Sequence, residues 1–345
     1  MVDLIDLEKK IVPEIFEIME KRYNILRNIY YNQPIGRRAL ANELHIGERI
    51  VRTEVNILKR QELLNIESMG MYVTEDGIMV LEELKDVMHK LKGISELERK
   101  LESLLKVRKT IIVPGNSDEN GLVLKDMGKT TSIYLRKLIK EGSIIGVTGG
   151  TTIAHVAEEM PFGKVADNVL VTPARGGLGK DVETQSNSIA AKLAKKLNGS
   201  YRLLNMPDNI DKETLDAVLK ISDVREVIQL IEKMNILVFG IGRADIMAER
   251  RQLSQEKIEE LVKSGSVAEA FGHYFDIEGK EVWESLTVGL SLQSFQKIDE
   301  VIGVAGGENK AEAIISIASL RKNMTIITDE GAAKKIIKIA KEATK

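Results

Sequence analysis

Two sets of residues in this 345-residue chain have the types and spacing to do chemistry. The first lies within residues 37–60. Arg49, Arg52 and Asn56 stand three and four positions apart, so on a helix they share one face. Arg37, Arg38, Lys59 and Arg60 add to it. Against Glu43, Glu48 and Glu54 these six basic residues give a local charge of +3, in a chain whose formal net charge is −2. Arg can grip guanine bidentately, Asn can grip adenine, and cations meet backbone phosphates. The second set sits at the ends of apolar, β-branched runs. Gly146-Val147-Thr148-Gly149-Gly150-Thr151-Thr152 follows one such run and opens a helical stretch. Its small residues let an anion approach the backbone, and free helix N-terminal amides and Thr hydroxyls can donate to it. A plain tight turn has the same composition, and no Lys-Ser/Thr pair makes it a P-loop. Arg175, with Gln185 and Asn187 downstream, follows the next run. Arg243 and Asp245, with Arg250 and Arg251 beyond, follow another. Lys310 closes a Gly306-Gly307 turn. Such residues at the C-terminal ends of parallel strands predict a cleft for an anionic ligand.

The elements that must position them follow from periodicity. Residues 21–31, 37–44 and 48–61 read as three helices. A break at 33–36 and a turn at 45–47 separate them, and Val51, Val55 and Leu58 form the third helix's core face. Alternation over 63–66 and 71–74 about Ser68-Met69-Gly70 predicts a hairpin, completing a winged helix-turn-helix. Leu81, Leu84, Met88 and Leu91, then Ile94, Leu97, Leu101 and Leu104, mark a linker helix interrupted at Gly93. Its seam fits either pairing with a second copy or packing on its own domain. From residue 109 strands alternate with helices. The strands are expected at 110–114, 144–148, 168–172, 236–239, 301–304 and 325–328, with helices at 124–140, 153–159, 188–197, 255–264, 311–322 and 332–343. That rhythm predicts an α/β fold with a doubly wound, Rossmann-like parallel sheet. The expected domains are residues 1–77 (DNA-binding), 78–106 (linker and dimerisation) and 107–345 (sensing).

Composition narrows the field. Hydrophobic residues make up 43% and charged residues 30%, as in ordinary globular proteins. The chain has no cysteine, which excludes disulfides, thiolate zinc sites and cysteine nucleophiles. His45, His89, His155 and His273 are far apart in sequence, so no metal or cofactor is expected. Residues 1–13 lack a signal peptide's basic start. The longest uncharged run, residues 143–157, is too short and too rich in Gly and Thr to span a bilayer. A cytoplasmic protein without membrane contact is expected.

At these residues the chain resembles the SorC family of sugar-responsive transcriptional regulators. The similarity covers nearly the whole length. It runs through Thr148–Thr152, Val238–Arg243, Gly265-Ser266-Val267-Ala268-Glu269 and Phe275-Asp276 with Gly279. It is most specific over Val301 to Gly307, through Lys310-Ala311, and over the tail 325–333. The resemblance, narrowest to members that control glycolytic genes, implies a repressor acting on operator DNA as a dimer or tetramer. It implies fructose 1,6-bisphosphate or a related sugar phosphate as effector. It implies contacts to that effector from Gly149, Gly150, Thr151, Thr152, Arg175, Gln185, Arg250, Glu269 and Lys310. The sensing region also resembles sugar-phosphate isomerases and deaminases, and such an enzyme with an accessory DNA-binding-like domain is the alternative. The loop at 240–245 has an Asp but no histidine beside it, so no catalytic residue is assigned. A protein-interaction module that binds no DNA is a third reading.

Overall fold

The computed structural model describes residues 11–177, 181–206 and 212–343. The chain forms two compact units, Met1–Ser95 and Glu96–Lys345.

The first unit is built on α1 (Pro13–Asn32), α2 (Arg37–Glu43) and α3 (Glu48–Arg60), followed by β1 (Leu64–Glu67), β2 (Gly70–Val73) and α4 (Glu75–Leu91). Pro13 occupies the first turn of α1, where its missing N–H costs nothing. Ile25 and Ile29 of α1, Leu40 of α2, and Val51, Val55 and Leu58 of α3 meet Leu64, Met71 and Leu81 in one core. Glu54 is buried on α3 and accepts from Nε of Arg22 at 2.8 Å, tying α3 to α1. The antiparallel β1–β2 hairpin gains a bridge from Met71 to Ile35, which gives the wing its third edge. Thr74 caps α4 by accepting the Gly77 amide.

The stripe that fits either a second copy or its own domain is in part covered within one chain. Leu81, Met88 and Leu91 are buried, and Leu81 belongs to the first unit's core. The helix stops before Gly93, whose φ is +63°, and α5 (Ile94–Leu105) belongs to the second unit from Glu96 onward.

In the second unit, seven parallel strands run in the order β3-β13-β12-β7-β4-β5-β6. They are β3 (Lys109–Val113), β4 (Ile144–Val147), β5 (Leu170–Pro173), β6 (Ser200–Tyr201), β7 (Ile236–Gly240), β12 (Glu300–Val304) and β13 (Thr325–Asp329). The chain winds outward from β4 through β5 to β6, then returns to β7 beside β4 and winds the other way. The carboxyl ends of β4 and β7 therefore flank the point where strand order reverses, where open α/β sheets bind ligands. Strand β5 begins later than the alternation suggests, because Asn168 is in the left-handed region at φ +57°. Edge strand β3 is protected: Glu102 accepts the Thr110 amide and Glu98 the Ile112 amide, each at 2.9 Å. Unpaired edge amides would otherwise invite another strand.

Helices α6 (Leu122–Leu138), α7 (Thr151–Glu158) and α8 (Ser186–Leu197) pack on the sheet through Val123, Met127, Leu135, Ile153, Val156, Ile189 and Leu193. Gly128 lets α6 press on α7; a Cβ there would lie 2.6 Å from the His155 carbonyl oxygen. Two short helices, α9 (Lys212–Val218) and α10 (Ser222–Glu232), lead into β7. Three more helices, α13 (Leu292–Phe295), α14 (Ala311–Leu320) and α15 (Glu330–Ala343), complete the unit.

A four-stranded antiparallel sheet, absent from the sequence reading, interrupts the alternation. It comprises β8 (Gly242–Arg243), β9 (Ala268–Ala270), β10 (His273–Phe275) and β11 (Glu281–Glu284), ordered β11-β10-β9-β8. Helices α11 (Ala244–Arg250) and α12 (Gln255–Lys263) lie between β8 and β9.

Candidate functional site

The switch point of the parallel sheet is closed by a direct bond. Thr148, just past β4, accepts the Gly240 amide on its Oγ1 at 3.0 Å. The chain then turns through Gly150, whose φ of +111° a side chain would oppose. The Gly150 amide is spent on the Thr184 carbonyl at 2.8 Å. Helix α7 starts at Thr151, so its first-turn amides lack intrahelical acceptors and face the cleft with positive partial charge.

Past β5, Ala174 and Gly176 are pinned by backbone bonds to Val147, Leu290 and Val288, which fixes Arg175 between them. Arg175 is buried, and its Nη1 donates to Oε1 of Glu269 at 3.1 Å. Glu269 comes from β9. The same oxygen accepts Nη2 of Arg251 at 2.8 Å and the Gly272 amide at 2.7 Å, while Nη1 of Arg251 donates to the Tyr274 hydroxyl at 3.0 Å. Burial acts to raise the Glu269 carboxyl, but Arg251 and Arg175 outweigh it and hold it below the usual carboxylate range.

Lys310 enters from the turn after β12. Burial, then repulsion from Arg250, push its ammonium below the usual range. Asp118 and Asp329 draw it partly back, and an anion placed between two such cations would relieve their repulsion. Arg243 differs: it forms a bidentate pair with Asp245, so much of its charge is already answered.

The resulting cavity measures about 420 Å³, ample for a sugar phosphate. Gly149, Gly150, Thr151, Thr152, Arg175, Arg250, Glu269 and Lys310 all line it. Its wall holds four cations, Arg175, Arg243, Arg250 and Lys310, against two carboxylates, Asp181 and Glu269. Gln185 stands apart: it precedes α8 and its side-chain oxygen packs against Gly177. Asn187 is spent on the backbone of Leu204. Residues that the sequence reading did not single out include Phe271, Met247, Ser186 and Thr184 in the wall, and Tyr274 behind it. Phe271 stacks with Phe239 and Phe295 at centroid distances of 4.9 and 5.2 Å, anchoring the β9–β10 turn to the sheet.

In the first unit, Arg49, Arg52 and Asn56 all lie on the exposed side of α3, opposite Val51, Val55 and Leu58. Arg38 is exposed on α2 and Arg37 is half-buried. Among the described residues Arg52 makes a long, exposed contact to Glu48, at 3.9 Å. Such pairs are worth little and yield readily to a partner.

A three-helix unit with a wing and a basic recognition face, together with a Rossmann-like unit holding an anion cleft at its switch point, define a ligand-sensing DNA-binding regulator. Comparison with known proteins agrees. Residues 89–338 match the sugar-binding domain family (Sugar-bind), and residues 18–88 match the CggR N-terminal DNA-binding domain. The chain belongs to the SorC family of sugar-responsive transcriptional regulators. It is 40% identical to the central glycolytic genes regulator of Bacillus subtilis (strain 168), over 98% of this chain and 99% of that protein. Identity to the protein of the same name from Priestia megaterium is also 40%. A SorC family regulator from Enterococcus faecalis shares 39% identity at a TM-score of 0.66, over 70% of this chain and 99% of that one. The full-length sorbitol operon regulator SorC of Klebsiella pneumoniae has the same fold, with a TM-score of 0.66 over 94% of this chain and 98% of its own, at 18% identity. The relatives are regulators, and this chain is a regulator rather than an enzyme. Among the described residues no helix is long and apolar enough to cross a membrane.

Proposed function

We propose that this chain represses glycolytic genes from the cytoplasm, as a dimer or tetramer whose operator affinity is set by fructose 1,6-bisphosphate. The observation that carries the effector reading is the cleft's paired cationic character. Lys310, Arg250 and Arg175 all line the cleft, and repulsion from Arg250 helps lower the Lys310 ammonium. One phosphate on the α7 N-terminus with Lys310 would leave Arg250 partly unused; a second phosphate engages it, and guanidinium suits bidentate pairing. Glu269, fully ionised and anchored, is suited to accept sugar hydroxyls. Gln185, which lies outside the wall, stays in this set on the family resemblance alone.

The site can control DNA only if the effector prefers one of two arrangements of the protein. Bases are read by Arg49, Arg52 and Asn56, while Arg37 and Arg38 hold phosphates. Calorimetry with fructose 1,6-bisphosphate and fructose 6-phosphate tests the reading. The bisphosphate is expected to bind far more tightly, and Arg250→Ala to erase most of the difference. Equal affinities would remove the second phosphate site.

A further inference from the structure

The antiparallel sheet carries a second group of ligating side chains outside the wall of the cleft. His273 opens β10 and pairs across the hairpin with Glu284 of β11. In a regular strand only residues two apart share a face, so Glu281, three from Glu284, would point the other way. The pairing is not regular. Tyr274 faces Trp283 and Phe275 faces Glu281, so Val282 is an extra residue and β11 bulges there. A bulge re-aims side chains, and here it turns Glu281 to the side of His273 and Glu284. Nδ1 of His273 lies 2.7 Å from Oε1 of Glu281. One ligand atom from each of the three residues lies within 4.8 Å of the others. His273 is buried while both glutamates are exposed, so the group opens to solvent. Among the described residues no ion pair gives Glu284 a cation, and His273 is Glu281's partner.

We propose that His273, Glu281 and Glu284 bind one divalent transition-metal ion of the Zn²⁺ class. Two carboxylates and a neutral imidazole offer charge −2, which such an ion neutralises. The imidazole nitrogen sets the class, because Mg²⁺ and Ca²⁺ prefer oxygen donors throughout. Zinc takes His nitrogen and carboxylate oxygen at about 2.0–2.2 Å, which places tetrahedral ligands roughly 3.4 Å apart. The two exposed glutamates can close that gap by side-chain rotation, and the ion displaces the His273–Glu281 hydrogen bond. Water completes the shell. No spacing in the sequence signals the site, because its ligands meet only across the bulged hairpin.

The test uses the full chain, stripped with EDTA, dialysed and titrated calorimetrically with ZnCl₂ and separately with MgCl₂. The expected result is one saturable Zn²⁺ per chain, at least about tenfold weaker in Glu284→Gln, with no matching Mg²⁺ binding. Glu284 is exposed, so that variant is expected to melt with the wild type. Glu281→Gln gives an independent second loss. Absence of saturable Zn²⁺ binding, Zn²⁺ binding unchanged in both variants, or equal binding of Mg²⁺ would each overturn the proposal. Sugar-phosphate titrations are not involved, so the outcome is independent of the effector reading.

Discussion

Replacing Arg251 by Met removes the donor that most firmly holds Glu269. In the wild type Arg251 gives one hydrogen bond to the Glu269 carboxylate at 2.8 Å and one to the Tyr274 hydroxyl at 3.0 Å. A hydrogen bond to a charged group contributes about 1.5–3 kcal/mol and a neutral one about 1 kcal/mol. Glu269 keeps Arg175 and the Gly272 amide, so the loss stays at the low end of the roughly 3–5 kcal/mol seen when a buried charge loses its partner outright. The expected cost is about 3 kcal/mol, or roughly 6–12 °C in Tm for a domain of this size. Trp283, the chain's single tryptophan, packs against Tyr274 at 5.3 Å between ring centroids. Its fluorescence in a urea titration therefore reports on this network. The pH dependence adds a second readout. Glu269 is depressed in the folded state, so its contribution is present above the ordinary carboxylate value of 4.5 and lost as pH falls through the lower folded value. The variant, with one guanidinium fewer, has less to lose. Its deficit relative to wild type should be largest near neutrality and narrow over the range below 4.5, toward the wild type's lower folded value. A loss under about 1 kcal/mol at neutral pH, or a deficit constant from pH 7 into that range, would refute the assignment of Arg251 as the clamp.

Three further outcomes follow from local geometry. Arg52→Ala should weaken operator binding by about 1–3 kcal/mol in a gel shift while leaving Tm unchanged, since Arg52 is exposed. Gly128→Ala should destabilise by more than about 1 kcal/mol and weaken sugar-phosphate binding, because the new Cβ, 2.6 Å from the His155 carbonyl, must push α7 away; equal ligand affinity would show that α7 is not part of the cradle. His155 is lowered first by burial and then by Lys125, so its share of stability is present above 6.5 and falls with pH below it; His155→Gln should flatten urea midpoints between about pH 7 and 5.5.

The elements of this protein were legible in its sequence wherever a regular period ran long enough. The core face of α3 follows from Val51, Val55 and Leu58, and the buried strands from their β-branched runs, because burial on one face or two imposes those patterns. Exposure of Arg49, Arg52 and Asn56 follows from the same helix. Strand-end glycines and cations were legible too, since parallel strands collect such residues at one edge of a sheet. What the sequence could not supply were relations between residues whose partners are distant. The strands β8 to β10 have two or three residues each, too few for any period to show. With them went the place of Glu269, its clamp by Arg251 and Tyr274, and the bulge that gathers Glu281 and Glu284 about His273. Arg175 and Arg243 looked alike as strand-end cations, yet one is buried against Glu269 and the other is locked to Asp245 two residues away. Leu81 read equally well as a seam or as core, and burial in the first unit's cluster made it core. A period shows which face of an element is buried, and only the tertiary structure decides what it is buried against.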